Sequence, residues 1–196
     1  TLRLLQVCRA RNTPILTFVN KLDREVRPAL DLLGEIESVL GMPAVPLTWP
    51  IGMGREFGGV FDLRTQRIRL FARGADRVAD GEIAEVGFHD AGCRERLGPA
   101  YDAALAEAEL VRSAGTQFDR DAFLAARQTP VFFGSAMNNF GVQEVLDALV
   151  DLAPAPGSRP ARERMVAPVE PGFSGIVFKI QANMDPAHRD RVAFVR

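Results

Sequence analysis

Apolar residues in the first 43 positions follow the spacing expected of alternating helices and strands. They predict a helix from about 2 to 11 and a strand from 14 to 19. The expected inward-facing residues of the first helix are Leu4, Leu5 and Cys8. A second helix begins near Pro28 and ends at Gly41, which suits a left-handed helix end. This order is typical of an α/β domain with a buried strand.

Positions 44 to 90 instead carry short apolar stretches between glycine-rich or charged turns, a pattern that favours β-strands. The expected strands are 44–49, 60–63, 67–71 and 82–86. We interpret this stretch as a β-rich subdomain inserted into the α/β domain. The glycine cluster at 52–59 precedes a strand and lacks the lysine and hydroxyl residue of a phosphate loop, so it predicts a tight turn.

Helical spacing returns after this stretch and predicts helices over 94–112, 119–126 and 141–152, with a buried strand at 131–133. The expected apolar face of the last helix holds Val142, Val145, Leu146 and Leu149. Five prolines between 151 and 171 then predict an extended linker. Apolar and other residues alternate at 173–180, which predicts a strand. A second strand is predicted at 192–195.

The composition fits a cytoplasmic globular protein. The chain has 196 residues, 47% of them hydrophobic, and a net charge of -1. It contains neither a run of about 18 apolar residues, as a membrane span requires, nor an amino-terminal signal pattern. Cys8 and Cys93 lack metal-ligand spacing, and His89 and His188 have no ligand partners nearby in the sequence. We therefore expect reduced thiols and no metal site built from these residues.

Candidate chemistry first occurs at Asn20-Lys21-Leu22-Asp23, directly after the strand at 14–19. A carboxylate held at the carboxyl end of a buried strand can accept two N–H bonds, and guanine offers such a pair at N1 and N2. Adenine offers no matching pair, so a site of this kind discriminates between the bases. From these residues alone, a strand that ends in a solvated charged turn is an equal alternative.

A second loop of matching chemistry follows the strand at 131–133. Its residues Gly134, Ser135 and Ala136 are small, so backbone N–H groups there can approach a ligand such as guanine O6 closely. By itself this loop is compatible with a simple turn from a strand to a helix. Two strand ends that carry the two loops in the expected order favour a guanine site.

Five stretches of the chain resemble bacterial translational GTPases, most specifically the peptide chain release factor 3 family. They are residues 13–24, 48–54, 129–136, 139–142 and 178–196. The resemblance implies a partial P-loop GTPase with a Rossmann-like, mostly parallel sheet, a β-rich insertion and the truncated start of a β-barrel domain. The implied divisions are 1–43 and 91–152 for the GTPase domain, 44–90 for the insertion, 153–171 for the linker and 172–196 for the barrel.

The same resemblance implies a role for each residue of the two loops, with GTP or GDP as the ligand. Asn20 would brace its loop, the stem of Lys21 would cover the base and Asp23 would accept the two guanine donors. Ser135 with Ala136 would contact guanine O6. Mg²⁺ would accompany the nucleotide in the parent protein, with its ligands outside these residues.

The sequence contains no Gly-x-x-x-x-Gly-Lys-Ser/Thr loop, and no Asp-x-x-Gly segment precedes Asn20. We therefore expect a fragment that hydrolyses no GTP by itself and binds nucleotide poorly. We also expect the last two strands to expose unpaired edges through which copies of the fragment could self-associate.

Three functions stay open at this point. The resemblance favours a GTPase switch of translation termination that ejects the decoding release factors from the ribosome. The alternatives are a translocation or ribosome-recycling GTPase of the elongation-factor-G type, and a non-catalytic module that binds ribosomal RNA or protein. From 159 to 196, basic residues exceed acidic ones by three, which suits either RNA phosphates or an ordinary solvated surface.

Overall fold

The chain forms both helices and strands in the computed structural model, which describes residues 2–71, 85–182 and 190–196. The helices are α1 (Leu2–Ala10), α2 (Ala29–Leu40), α3 (Ala91–Leu97), α4 (Pro99–Ala114), α5 (Arg120–Leu124) and α6 (Val142–Leu152). The strands are β1 (Thr17–Val19), β2 (Ala44–Pro46), β3 (Thr48–Ile51), β4 (Gly59–Asp62), β5 (Arg67–Leu70), β6 (Glu85–Gly87), β7 (Thr129–Phe133), β8 (Arg159–Pro160), β9 (Met165–Val166), β10 (Val177–Ala182) and β11 (Arg191–Val195). They fall into two units, Thr1–Ala153 and Pro154–Arg196.

The first unit contains a parallel sheet with the strand order β1-β7-β2. The central strand β7 is buried along its whole length, and Phe18 of β1 lies opposite Phe132 of β7. Because parallel strands end at the same edge of a sheet, the segments that follow β1 and β7 emerge side by side. The expected parallel strands are confirmed, but β1 is half-buried and begins at Thr17 instead of position 14. The pairing of β1 with β7 brings the two polar loops together.

A four-stranded antiparallel sheet, β3-β4-β5-β6, follows directly from the parallel one. The Leu47 N–H donates to the Val131 carbonyl at 2.9 Å, and Thr48 Oγ1 accepts the Phe133 N–H at 3.0 Å. We expected one strand over 44–49, but it is divided: β2 pairs in parallel with β7, and antiparallel pairing begins at Thr48. The boundaries of the inserted subdomain remain a prediction, and positions 82–84 lie outside the described residues.

The two sheets share one apolar core. Trp49 of β3 and Phe133 of β7 are fully buried and meet edge to face, with their ring centroids 5.4 Å apart. Trp49 Nε1 also donates to Glu107 Oε2 on α4 at 3.1 Å, so the buried indole has its hydrogen-bond partner. The antiparallel sheet is thus packed between the parallel sheet and α4.

The helix expected over 94–112 is instead two helices, α3 and α4. Gly98, at their junction, has φ +59 and ψ -141, which no α-helical residue adopts, and Pro99 is suited to the first turn of α4. The helix that begins after Pro28 is confirmed, and Gly41 ends it with φ +58. Among the described helices, none has both the length and the apolarity needed to cross a membrane.

The predicted inward faces of α1 and α6 are partly wrong. In α1, Leu5 is buried but Leu4 is exposed. In α6, Leu146 and Leu149 are each about half exposed. The residues of α6 that are buried are Glu144, Ala148 and Leu152. The apolar spacing identified the helix correctly but not its rotation, because a carboxylate occupies part of the buried face.

That carboxylate, Glu144, pairs with the antiparallel sheet. Its side chain is only 4% exposed, and Arg69 Nε of β5 lies 2.8 Å from Glu144 Oε1. Glu144 Oε2 has no hydrogen-bond partner among the described residues. Burial raises the pKa of Glu144 above the ordinary carboxyl value, and the charge of Arg69 only partly opposes this. The pair therefore joins α6 to β5 with a carboxyl group that resists ionisation.

We expect Glu144→Gln to flatten the pH dependence of folding stability. Below the ordinary pKa, the group is protonated in both the folded and the unfolded chain. Between the ordinary pKa and the raised folded pKa, the folded protein holds a proton that the unfolded chain has released. The free energy of unfolding therefore falls as the pH rises through this range, and the contribution is lost above the folded pKa. Urea unfolding followed by circular dichroism from about pH 4 to 8 measures the slope. Asp151→Asn makes the same kind of change at an exposed acid of the same helix that is not among the charges acting on Glu144. It is the control, and an unchanged slope in Glu144→Gln would contradict the assignment.

The second unit holds two antiparallel pairs, β8-β9 and β10-β11. The pair β8-β9 lies inside the stretch 153–171, which we expected to lack regular structure, so two short strands correct that prediction. The two later strands are confirmed, with a bulge between Val177 and Lys179. Apolar side chains of β10-β11 are exposed on both faces of the pair. His188 lies outside the described residues.

Candidate functional site

The two polar loops meet at the carboxyl edge of the parallel sheet. The Gly134 N–H donates to the Val19 carbonyl at 3.0 Å, and the Leu22 N–H donates to the Gly134 carbonyl at 3.1 Å. The loop after β1 and the loop after β7 are therefore joined through their backbones. All five residues expected at the site lie on these two loops.

Asp23 and Ser135 are in direct contact across the loops. Ser135 Oγ lies 2.6 Å from Asp23 Oδ1, so the hydroxyl donates a short, charge-assisted hydrogen bond to the carboxylate. Ser135 is fully buried and Asp23 is half-buried. A carboxylate has about four lone-pair sites, so Asp23 can accept two further N–H groups while Ser135 fixes its orientation.

Asn20 makes a second link between the loops. Its Oδ1 accepts the N–H of Lys21 at 2.8 Å and the N–H of Ala136 at 2.9 Å. One short side chain thus holds both its own turn and the start of the opposite loop. This arrangement fixes the spacing between Asp23 and Ala136, the two groups expected to face a base.

The backbone donors of the second loop already have acceptors. The Ser135 N–H donates to the Phe140 carbonyl at 2.8 Å, and the Ala136 N–H donates to Asn20 Oδ1. A base oxygen at this position would have to share the Ala136 N–H in a three-centre bond. The group of Ser135 that reaches Asp23 is its hydroxyl, a contact that the sequence alone did not indicate.

Lys21 holds an unusual backbone conformation between these partners. Its φ is +73, in the left-handed region that residues other than glycine rarely adopt, and its side chain is exposed. Such a conformation costs about 1–3 kcal/mol and persists only where surrounding contacts maintain it. The hydrogen bond from the Lys21 N–H to Asn20 is one such contact. The exposed stem is free to lie over a flat ligand.

Gly134 is required for the close approach of the loops. A Cβ atom at this position would lie 2.1 Å from the Phe140 carbonyl oxygen and 2.8 Å from Phe18 Cζ. Glycine at position 134 therefore has a steric cause. Phe140 supplies the carbonyl that fixes this loop, and its part in the site had no signal in the sequence beyond its place after the loop.

The cysteines do not take part in this site. Cys93 is buried in the packing between α3 and the antiparallel sheet, and burial raises the pKa of its thiol to about 11. Cys8 is half-buried and is also a free thiol. Within residues 2–71, 85–182 and 190–196, no group of three or more metal-ligating side chains comes together.

Comparison with known sequences gives strong similarity along the whole chain. Peptide chain release factor 3 from Bordetella petrii is 64% identical over 196 residues, and the protein of the same name from Bordetella avium is 65% identical. Peptide chain release factor 3 from Nitrosomonas europaea is 62% identical over 197 residues. Each alignment covers 100% of this chain and 37% of the relative, so the chain spans about a third of the length of these relatives.

A crystal structure of a protein from Thermus thermophilus shares the fold. It matches with a TM-score of 0.59 and 21% identity over 99% of this chain and 28% of the other. The predicted resemblance to release factor 3 and the mixed α/β fold with a parallel sheet, which fits part of a GTPase fold, are confirmed. The family model described as the elongation factor Tu GTP binding domain matches residues 1–155. The chain accordingly belongs to the elongation factor Tu GTP binding domain family.

Proposed function

We propose that this chain supplies the guanine-recognition half of a translational GTPase that acts in termination. In this proposal Asp23 accepts guanine N1–H and N2–H, the stem of Lys21 covers the base, and Asn20 braces the two loops. Ser135 orients Asp23, and the Ala136 N–H meets guanine O6. The ligand is GTP or GDP.

The contact that carries this proposal is the 2.6 Å hydrogen bond between Ser135 Oγ and Asp23 Oδ1. It joins two loops separated by more than a hundred residues in the sequence and leaves acceptor sites of the carboxylate unused. A carboxylate fixed at a half-buried edge, beside a backbone N–H, complements the donor, donor and acceptor edge of guanine. Adenine would leave these groups unpaired, which is costly.

The residues present fit the base and not the phosphates. The sequence has no phosphate loop, so Mg²⁺ and the triphosphate would be held by segments of the parent protein other than these. When bound, GTP supplies a γ-phosphate whose hydrolysis drives the switch. The residues of this chain bind and orient the guanine, and they are expected to catalyse no hydrolysis by themselves.

The relatives named peptide chain release factor 3 support a role in the cytoplasm at the ribosome. We infer that the parent protein uses GTP to release the decoding release factors, with ribosomal RNA and ribosomal proteins as further partners. The exposed apolar pair β10-β11 supports self-association of the isolated 196 residues through unpaired strands.

The proposed base specificity is tested by nucleotide competition in the full-length protein, which includes the segments that the relatives carry beyond these residues. GDP, IDP and ADP compete for bound radiolabelled GDP in equilibrium dialysis. IDP lacks the N2 amine, so one bond to a charged acceptor is lost and binding should weaken by about 10- to 100-fold. ADP should bind more weakly still, and equal competition by ADP and GDP would contradict the proposal.

A further inference from the structure

The turn that connects β3 to β4 reaches the loop that carries Asp23. The Gly54 N–H donates to the Leu22 carbonyl at 2.8 Å, while the Leu22 N–H donates to the Gly134 carbonyl at 3.1 Å. Both peptide groups that flank Leu22 are therefore fixed, one by each neighbouring loop. Asp23 is the next residue in the chain, so its position depends on both bonds.

The shape of this turn depends on glycine at two positions. Gly52 has φ +76, and a Cβ there would lie 2.4 Å from the Glu56 carbonyl oxygen. Gly54 has φ +59, and its Cβ would lie 2.5 Å from Glu25 Oε1. Since other residues rarely adopt these angles, the bond from Gly54 to Leu22 relies on the absence of side chains.

Packing beneath the turn holds the same residues in place. Leu22 is 2% exposed, and it belongs to the apolar core that also contains Phe57, Phe61 and Trp49 of the antiparallel sheet and its turn. The side chain of Leu22 is thus buried in the same core as that sheet, while its backbone is bonded to the turn. A displacement of the sheet would be transmitted to Asp23 by both routes.

We propose that Gly54 is a positioning residue for base recognition, and that the turn 52–56 is a third loop of the site. The inference rests on the proposed function, because it assigns to Gly54 the placement of the carboxylate that reads guanine. Gly54 itself touches no base. It acts through the Leu22 carbonyl, so its replacement should weaken the contact that distinguishes guanine from hypoxanthine more than the contacts common to both.

The test is the ratio of IDP to GDP dissociation constants in the full-length protein and its Gly54→Ala variant. We expect the ratio to fall by about threefold to tenfold, as when one charge-assisted hydrogen bond is weakened rather than lost. Gly98→Ala is the matched control, because Gly98 has the same φ of +59 and a Cβ there meets nothing within 4 Å. It too places a side chain on a backbone of positive φ, but far from the two loops, and it should keep the wild-type ratio.

Gly54→Asn provides a second variant in case Gly54→Ala folds poorly, because asparagine tolerates the left-handed region better than alanine. It should also lower the ratio. A wild-type protein that does not discriminate between GDP and IDP would contradict the proposed function, and the positioning role with it. A wild type that discriminates, with either folded Gly54 variant showing the wild-type ratio, would overturn the positioning role alone.

Discussion

Asp23→Asn is expected to transfer nucleotide preference from guanine to xanthine. The asparagine amide can accept one N–H through its oxygen, but its NH₂ group faces a second donor on guanine, so guanine binding should fall by about 100-fold or more. Xanthine has a carbonyl at C2, which can accept from this NH₂ group. Ser135 can still donate to the amide oxygen, so the loop geometry should persist.

The change in nucleotide preference is measured by competition between XDP and GDP for binding to the full-length Asp23→Asn variant and to the wild type. Asp31→Asn serves as the control, because Asp31 is an exposed acid in the first turn of α2 and undergoes the same chemical change. It should keep the guanine preference. An Asp23→Asn protein that still prefers GDP would show that the carboxylate does not read the base.

Trp49→Ala is expected to cause the largest loss of stability among these substitutions, about 3–5 kcal/mol in the free energy of unfolding. Trp49 is fully buried, packs against Phe133 and donates to Glu107. Alanine would leave a cavity between the two sheets and a carboxylate without its donor. Since domains are stable by only about 5–15 kcal/mol, much of the margin would be lost.

Urea unfolding followed by far-ultraviolet circular dichroism measures this loss. Trp49→Phe retains most of the ring volume but no N–H, so its cost should be clearly smaller, roughly 1–2 kcal/mol. The difference between the two variants separates packing from the hydrogen bond. A loss below about 1 kcal/mol in Trp49→Ala would mean that the core rearranges around the missing ring.

Local patterns in the sequence predicted where the two polar loops lie, because both loops follow strand ends. The apolar strands at 14–19 and 131–133, each followed by polar or small residues, are enough to place Asn20, Asp23 and Ser135 at one edge of a sheet. The partners of the backbone donors could not be predicted in this way. The Phe140 carbonyl accepts the Ser135 N–H, and Asn20 Oδ1 accepts the Ala136 N–H. Both partners are set by how the loops pack in three dimensions.

Errors in the predicted fold also have tertiary causes. The apolar stretch 44–49 is continuous, but hydrogen bonds to β7 and β4 divide it between two sheets. The apolar spacing of α6 omitted Glu144, because a buried carboxyl group that pairs with a distant strand leaves no local pattern. At Gly98, a helix pattern that continues on both sides concealed a break that the positive φ of one residue imposes.

The position of Trp49 has a practical consequence. It is the one tryptophan in the sequence, and the ring it contacts belongs to Phe133, which directly precedes Gly134 and Ser135. The intrinsic emission of this chain on excitation near the red edge of indole absorption therefore arises from a single chromophore beside the second loop. A rearrangement of that loop can be followed without attaching a dye.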